Sequence, residues 1–400
     1  MMSSKRVAVA GMGCVCASGN TAAEAFEGAL SGNALFVLPE HRVTSTYTSK
    51  YPVFSVSADL CREKPADQTF SQFFFIKAAL QAFAQANIDP RQLKEQRVGV
   101  IVGSSVHASF HCFEVYKRWK KGTWTDADTT ELKNYLTTPL AQWVSHYFGF
   151  TGPFQTVVTA CASGTDAVGL AKNWIETGLC DVVLCGGTDE ITESPYDGFI
   201  RLLVSTNERC RPFCKTRTGI NIGEGAAALL LANESTMKKF HLPCQGYILG
   251  YGNCCDGFHP TAPDPNGVGL QKALSFALTD AGKKAEEIAF INAHGTASQA
   301  NDKAESIAFR AVLPQVPVWG SKAVTGHTLG AAGAIEAVLS LQALSRRLVP
   351  PTIGFTTPDE QLQLVPTTQP TEITKRCAVS DSLAFGGCNA AIVLGAADVA

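Results

Sequence analysis

One cysteine stands where the local pattern can present a nucleophile. Cys161 follows an apolar strand-like run at residues 156–159 and precedes a helix-like stretch of small residues at 162–167. This layout is analogous to the strand, turn and helix that expose a serine nucleophile in α/β-hydrolases. A helix N-terminus favours the thiolate, so we predict a lowered pKa for this thiol. The alternative from this segment alone is a buried cysteine at a tight strand–helix join.

Two histidines lie in loops framed by glycine and other small residues. His294 follows the apolar run 289–293, at the end of a predicted strand, where sites of α/β proteins commonly lie. His327 stands five residues after Lys322, in a loop that opens a predicted helix. A lone histidine is more often structural, but two such loops and a nearby lysine favour a catalytic role.

A glycine pair near the end of the sequence supplies a further candidate. The run is Phe385-Gly386-Gly387-Cys388-Asn389. Its glycines allow close approach of a ligand, and its backbone N–H groups can stabilise an oxyanion. Phe385 can equally be an ordinary core residue.

Other motifs are set aside on their spacing. Gly11 and Gly13 follow a strand, but Cys16 occupies the third glycine position of a dinucleotide-binding loop. His107 and His111 are four residues apart without the glutamate of a metalloprotease motif. The 14 cysteines lack paired Cys-x-x-Cys spacing, so we expect no metal site.

Strand-like and helix-like runs alternate along the chain, which predicts an α/β protein with layered helices and sheets. The predicted strands are residues 98–102, 182–185, 227–231, 289–293 and 390–394. The predicted helices are residues 73–86, 164–176, 269–281, 301–312 and 333–344. A boundary near residue 242 suggests two halves. Residues 1–242 carry Cys161, and residues 243–400 carry His294 and His327. Each half can carry about five strands, although the sequence repeat between them is weak.

Composition limits the function classes. The 33 Lys+Arg and 35 Asp+Glu give a net charge of -2, which supplies no basic field for nucleic acid. The 46% hydrophobic and 17% charged content indicates a large buried core and excludes general disorder. No apolar run reaches about 18 residues and no signal peptide is evident. We therefore expect no membrane partner, a cytoplasmic location and reduced cysteines.

Together these residues resemble the β-ketoacyl-acyl-carrier-protein synthases of the elongating type, in the thiolase-like superfamily. The resemblance runs from Val7 to Leu394. Its motifs are Thr-Ala-Cys-Ala-Ser-Gly at 159–164, Asn-Ala-His-Gly-Thr at 292–296, Lys-x4-His and the following Gly-rich run at 322–333, and Phe-Gly-Gly-x-Asn at 385–389. The Cys-His-His set is similar to the elongating class, whereas initiating synthases are expected to carry Cys-His-Asn.

The resemblance implies a duplicated α-β-α-β-α fold, a dimer and a two-stage reaction. Cys161 would accept an acyl chain from a carrier-protein thioester. Malonyl on a second carrier would lose CO2, and its carbanion would attack the acyl group, extending it by two carbons. Such reactions serve fatty-acid or polyketide/polyene biosynthesis. Both substrates would arrive on the phosphopantetheine arm of acyl carrier protein, and no other cofactor is implied.

The resemblance also assigns roles to the residues of the second half. N–H donors of His294 and His327 would stabilise the enolate formed on decarboxylation. Lys322 would tune the electrostatics beside His327, with Glu336 on the following helix as its partner.

Further roles concern the substrate. The backbone N–H groups of Cys161 and Phe385 would form the oxyanion hole, and the Phe385 ring would gate the acyl chain from incoming malonyl. Thr296 and Ser298 match positions that bind the pantetheine arm, with Ser298 in place of a usual threonine.

Some positions depart from the family pattern. Val106 and His107 match a segment that borders the acyl pocket, where a glycine is usual at the His107 position. Residues 217–220 read Arg-Thr-Gly-Ile where Arg-Asp-Gly-Phe is common, and residues 115–135 do not follow the usual helical insertion. These departures put a standard fatty-acid substrate in question, but not the condensing chemistry.

Two other readings have specific signatures. A non-catalytic chain-length-factor-like subunit is expected to lack the cysteine nucleophile, which this chain has. A thiolase is expected to carry a second catalytic cysteine, and Cys388 lies nearby, where threonine is common in the synthases. The dimer can be a homodimer, or a heterodimer with a related ketosynthase-like subunit.

Overall fold

The structure is a computed structural model that describes residues 7–39, 43–106 and 109–399. The strands, in chain order, are β1 Val7–Cys16, β2 Phe36–Val37, β3 Val53–Phe54, β4 Val98–Gly103, β5 Phe154–Val157, β6 Val182–Asp189, β7 Gly225–Ala232, β8 Gly246–Cys255, β9 Ile288–Ala293, β10 Val318–Gly320, β11 Leu348–Val349, β12 Thr371–Glu372, β13 Cys377–Ala384 and β14 Cys388–Ala396. The helices are α1 Ala22–Ser31, α2 Ala58–Arg62, α3 Phe70–Gln85, α4 Ser109–Lys120, α5 Asp126–Thr137, α6 Leu140–Phe148, α7 Ser163–Glu176, α8 Glu193–Arg201, α9 Glu234–Lys239, α10 Val268–Ala281, α11 Gln299–Val312, α12 Lys322–Thr325 and α13 Ala332–Arg346.

The sequence accounts for many of these boundaries. Strands β6, β7 and β9 are buried at every position, so they lack the polar alternation of a strand with one face in water. Thr69 is the N-cap of helix α3, and its side chain accepts from the N–H of Gln72 in a reciprocal capping box. Helix α10 ends at Gly282, whose left-handed backbone (φ 60°) suits glycine.

Ten strands form one sheet in the order β10-β9-β13-β14-β8-β1-β7-β6-β4-β5. With the strands of each half numbered along the chain, both halves run 3-2-4-5-1 from the outer edge inward. The strand directions also match, because the outer pairs are parallel and the inner pairs antiparallel in each half. The halves meet where β1 pairs with β8. The duplication is thus visible in the topology, while a boundary at residue 242 stays a prediction.

Helices lie in three layers around this sheet. Helices α3 and α6 pack on the outer face of the first half, and α10 and α11 on the outer face of the second. Helices α7 and α13 contact each other and pack between the two half-sheets. This α-β-α-β-α arrangement confirms the fold class expected from the resemblance.

Small residues bring the N-termini of the two central helices together. A Cβ atom on Gly333 of α13 would lie 1.9 Å from Thr165 Oγ1 of α7, and one on Gly164 would lie 2.7 Å from the Gly330 carbonyl oxygen. The turn at Ala160–Ala162 therefore contacts the turn at Leu329–Ala331. This contact places the loops of Cys161 and His327 side by side.

The ten predicted strands and helices are all present, and the largest difference at a single boundary is in β6, which extends to Asp189. One local prediction was wrong: Gly11 and Gly13 lie inside β1, not after it. A Cβ atom on either would lie within 2.1 Å of an α3 carbonyl oxygen, so these glycines serve helix–sheet packing. Residues 115–135 cover the end of α4, the connection at 121–125 and most of α5, and the two helices pack on each other. Among the described residues, no helix has the length and apolar character needed to span a membrane.

Candidate active site

A cavity of about 510 Å³ collects most of the predicted site residues. Its lining includes Cys161, His294, Thr296, Ser298, His327 and Phe385. These residues come from loops after β5, β9, β10 and β13, so tertiary packing joins four separate segments. Of the described site residues, Lys322, Glu336 and Val106 do not line the cavity.

Cys161 lies in the turn that precedes α7 and is buried. Burial raises the pKa of its thiol to about 12, although the Lys322 charge and the backbone N–H groups of Cys161 and Phe385 act in the opposite direction. The predicted lowered pKa was therefore wrong, because removal of the sulfur from water outweighs the groups that favour the thiolate. The same backbone N–H groups are the ones that the resemblance implies for an oxyanion hole.

His294 and His327 form a pair in this cavity. Their ring centroids are 5.1 Å apart and the rings are nearly perpendicular, at 86°. Burial, and then the charge of Lys322, hold the pKa of both imidazoles well below the usual range. Both rings are therefore neutral near pH 7, and each can present one N–H donor to a developing oxyanion.

Lys322 is buried between an imidazole and a carboxylate. Its Nζ lies 3.2 Å from His294 Nδ1 and pairs with Glu336 Oε1. An ammonium group only donates, so His294 Nδ1 accepts and the ring proton resides on Nε2. The sequence placed Lys322 beside His327, five residues away, but its hydrogen bond reaches His294 instead. Lys322 still acts on His327 through its charge.

Phe385 lies at the strand end between β13 and the glycine pair. Its ring stacks on Phe199 of α8, with centroids 5.2 Å apart and an angle of 25° between the planes. Gly386 and Gly387 have φ of 83° and 77°, a backbone that glycine adopts without strain. The ring centroids of Phe199 and His327 are 6.1 Å apart. One aromatic side chain therefore packs against both the Phe385 ring and the histidine pair.

Hydroxyl groups line another part of the cavity. Thr296 Oγ1 and Ser298 Oγ lie 3.0 Å apart. Arg217 also lines the cavity and is buried, with an ion pair of 2.7 Å to Asp359. The threonine and serine that we matched to pantetheine-binding positions thus lie in the same cavity as Cys161.

The acyl-pocket positions are only partly described. Val106 is half-buried and, like Phe199, packs against a buried apolar cluster that includes Ile220 and Leu329. His107 lies outside the described residues. Val106 therefore lies beside this cluster and is not part of the cavity lining.

Sequence reasoning missed two residues that organise the site. Buried Asp189, at the end of β6, accepts hydrogen bonds from Ser104 Oγ (2.5 Å), Ser105 N (2.8 Å) and Gly330 N (2.6 Å). It thereby joins the loop after β4 to the loop that carries His327, and burial raises its pKa to about 6. An aspartate that directly follows Gly186-Gly187-Thr188 at a strand end was a usable signal. Phe199 had no comparable signal.

Two other kinds of site find no support among the described residues. They contain no group of three or more His, Cys, Asp or Glu side chains that could hold a metal ion. Cys388 lies at the start of β14, opposite Cys255, and is not part of the cavity lining. Its position offers nothing to a thiolase mechanism.

Comparison with known proteins agrees with this geometry. Residues 4–237 match the family description "Beta-ketoacyl synthase, N-terminal domain", and residues 245–356 match "Beta-ketoacyl synthase, C-terminal domain". The 3-oxoacyl-[acyl-carrier-protein] synthase 2 of Staphylococcus aureus is 32% identical over 415 residues, covering 98% of this chain and 99% of that protein.

Two solved structures are also similar. An ishigamide ketosynthase/chain length factor matches with a TM-score of 0.91 and 29% identity, covering 98% of this chain and all of that one. A type II PKS ketosynthase, AntDE, in complex with its acyl-carrier protein matches with a TM-score of 0.88 and 25% identity, covering 99% and 100%. The chain belongs to the β-ketoacyl-acyl-carrier-protein synthases of the thiolase-like superfamily and is an acyltransferase of that family.

Proposed function

We propose that Cys161 is the acyl-accepting nucleophile of this synthase and that His294 and His327 stabilise the enolate. In the first stage, Cys161 Sγ attacks the carbonyl of an acyl-carrier thioester. The carrier thiolate leaves and takes up the proton lost by Cys161, so that an acyl-Cys161 thioester and a free carrier thiol result. The backbone N–H groups of Cys161 and Phe385 stabilise the tetrahedral oxyanion.

The second stage joins two carbons to this chain. Malonyl held on a second carrier loses CO2, and the electron pair of the broken C–C bond forms an enolate on the thioester. Neutral His294 and His327 donate N–H groups to that oxygen. The enolate carbon then attacks the acyl-Cys161 carbonyl, which releases Cys161 as a thiolate and gives the β-ketoacyl-carrier product.

The observation that supports this assignment best is the shared cavity. Cys161 and both imidazoles line it, and the pairing of Lys322 with His294 Nδ1 leaves the Nε2–H free to donate. A chain-length-factor-like role is not favoured, because such a subunit is expected to lack the cysteine that shares this cavity with the histidine pair. Thr296 and Ser298 are assigned to the pantetheine arm, Glu336 to the support of Lys322, and Val106 with His107 to the acyl pocket.

The test is intact-mass measurement after the chain is mixed with acyl-carrier thioesters of graded length and type. We expect one acyl adduct, absent from Cys161→Ala and retained in Cys388→Thr. The best-loaded donor distinguishes a fatty-acyl from a polyene or polyketide substrate. An adduct that persists in Cys161→Ala contradicts the assignment.

For the partners, we propose acyl carrier protein and a dimer formed along β5. Strand β5 is one of the two outer strands of the sheet and pairs with β4 on one side. Its neighbourhood exposes apolar side chains, with Phe154 at 43% and Val158 at 63%. An exposed apolar edge is typical of a surface that pairs with another chain. The same segment leads directly to Cys161, so the dimer would complete the site.

Sedimentation of the purified chain tests this surface. We expect a homodimer that Val158→Asp converts to a monomer, while Val268→Asp, at an exposed position on α10, leaves it dimeric. A wild-type monomer that dimerises only with a related ketosynthase-like subunit indicates the heterodimer. A Val158→Asp protein that remains dimeric contradicts the β5 surface.

A further inference from the structure

The residue before the nucleophile has a strained backbone. Ala160 has φ of 51°, in the left-handed region that residues with a Cβ atom avoid. Such strain costs about 1–3 kcal/mol and persists only where surrounding contacts hold it. Two local contacts do so, because Ser163 Oγ donates to the Ala160 carbonyl (2.5 Å) and accepts from the Thr159 N–H (2.9 Å).

A longer chain of side chains reaches the same turn from the other half of the molecule. Thr159 Oγ1 donates to Asp166 Oδ2 at 2.5 Å, and Tyr251 OH donates to Asp166 Oδ1 at 2.7 Å. The side-chain amide of Asn253 donates to the Tyr251 hydroxyl oxygen at 2.7 Å. Asp166 lies in the first turn of α7, whereas Tyr251 and Asn253 lie on β8.

The central helix leaves space for this chain. A Cβ atom on Gly169 of α7 would lie 2.2 Å from Tyr251 Cδ2, so the tyrosine ring occupies the place of a side chain. Asp166 is nearly fully buried, and its two oxygens accept from two hydroxyl groups. A buried carboxylate with charge-assisted hydrogen bonds fixes its donors more firmly than neutral pairs do.

We propose that Asp166 and Tyr251 are positioning residues that hold Thr159, and through it the turn of Cys161, in the geometry required for acyl transfer. This inference rests on the proposed role of Cys161. Neither side chain lines the cavity or touches a reacting atom. They act by keeping the sulfur aligned with the oxyanion donors of the turn.

This role predicts that the two stages of the reaction respond differently. The histidine pair is held by other contacts: Lys322 bonds to His294, and the His327 backbone bonds to Asn221 and Gly223. Loss of the Asp166 chain should therefore slow acylation of Cys161 without slowing decarboxylation of malonyl. A general loss of structure would lower both rates together.

The experiment compares Thr159→Val and Tyr251→Phe with wild type. Single-turnover formation of acyl-Cys161 and conversion of malonyl-carrier to acetyl-carrier are each followed by mass spectrometry. Thr177→Val is the matched control, because it removes a threonine hydroxyl that bonds to a backbone carbonyl at the other end of α7. Melting temperatures show whether each variant is folded.

We expect acylation to fall about 10- to 100-fold in both variants, as a misplacement of reacting atoms near 1 Å does in other enzymes. Decarboxylation should stay within about twofold of wild type, and Thr177→Val should change neither rate. Unchanged acylation in folded Tyr251→Phe, or an equal fall in both rates, overturns the positioning role. If wild type forms no acyl-Cys161, the proposed nucleophile fails instead, and the inference fails with it.

Discussion

At the scale of single residues, burial decides the protonation states of the site. It keeps the Cys161 thiol and both imidazoles uncharged, and it raises the pKa of Glu336 next to Lys322. A site with neutral donors suits a reaction whose negative charge appears on an oxygen only in the transition states. Among the described residues of this site, Lys322 carries the one buried ammonium group. It affects the orientation of the His294 ring as well as the charge of the site.

The pH dependence of Cys161 alkylation tests the first part of this picture. With a pKa near 12 in the free protein, the thiolate fraction should rise about tenfold per pH unit from pH 7 to 11. Iodoacetamide labelling of the Cys161 peptide, measured by mass spectrometry, should follow that slope. A rate that levels off below pH 9 contradicts the assignment.

The Lys322–Glu336 pair gives a second prediction. Lys322→Met leaves a buried carboxyl group without its cation, which should cost about 3–5 kcal/mol of unfolding free energy. Lys322→Met/Glu336→Gln removes both charges and should recover much of that loss. Neither variant can direct His294 Nδ1, so malonyl decarboxylation should stay impaired in both.

Chemical denaturation and a decarboxylation assay measure the two effects separately. Glu336→Gln alone serves as the control for the loss of one carboxylate. Full recovery of decarboxylation in the double variant is the result that would show Lys322 to be needed only for stability.

At the scale of elements, the site depends on two helices, α7 and α13, whose N-terminal turns contact each other. Helix α7 follows Cys161 and α13 follows His327, and Asp189 at the end of β6 ties the second of these loops to the loop after β4. The matching strand orders of the halves put the two helices in equivalent positions. The duplicated fold thereby places the Cys161 turn and the His327 loop at the N-termini of the two central helices.

Gly333→Ala tests the close approach of these helices. The new Cβ atom would lie 1.9 Å from Thr165 Oγ1 and 2.8 Å from Thr165 N. We expect a loss of about 1–3 kcal/mol in unfolding free energy, together with slower condensation, because both loops must shift. Gly198→Ala is the control, since a Cβ atom there meets nothing within 4 Å. Equal stability of the two variants would contradict the packing argument.

At the scale of the whole molecule, many cysteines are buried as thiols. Burial raises the pKa of Cys161 and Cys210 to about 12 and that of Cys180 to about 11. In the unfolded chain these thiols ionise near pH 9. The stability they contribute is therefore complete below pH 9 and is lost as pH rises towards the folded values.

We predict an unfolding temperature lower at pH 10.5 than at pH 8.5 by at least about 5 °C, measured with a reductant present. Burial also raises the pKa of Tyr196 and Tyr251, which adds to the loss. The pKa values of Cys16 and Cys214 are instead lowered, to about 7 and about 6, so these two thiols add stability as the pH rises. That added stability accumulates below pH 9 and does not oppose the decline above it. Cys210→Ala should flatten the alkaline decline, and an unchanged decline in that variant would count against buried thiols as its cause.

The sequence alone determined the layered α/β fold, the positions of its main strands and helices, and the candidate residues Cys161, His294, Lys322, His327 and Phe385. These features rest on local patterns, such as runs of apolar residues, small-residue turns and glycine pairs. Local patterns depend on residues that are neighbours along the chain. They therefore predict the type of an element more accurately than they predict which elements contact each other.

Which groups meet, and what charge they carry, depends on packing between distant segments. Lys322 forms its hydrogen bond with His294, because β9 and β10 lie side by side and bring together two residues that are 28 positions apart in the sequence. The pKa of Cys161 depends on desolvation by the whole core, and the roles of Asp189, Phe199 and Tyr251 depend on long-range packing. Side-chain contacts and burial arise between distant segments, and no local pattern encodes them.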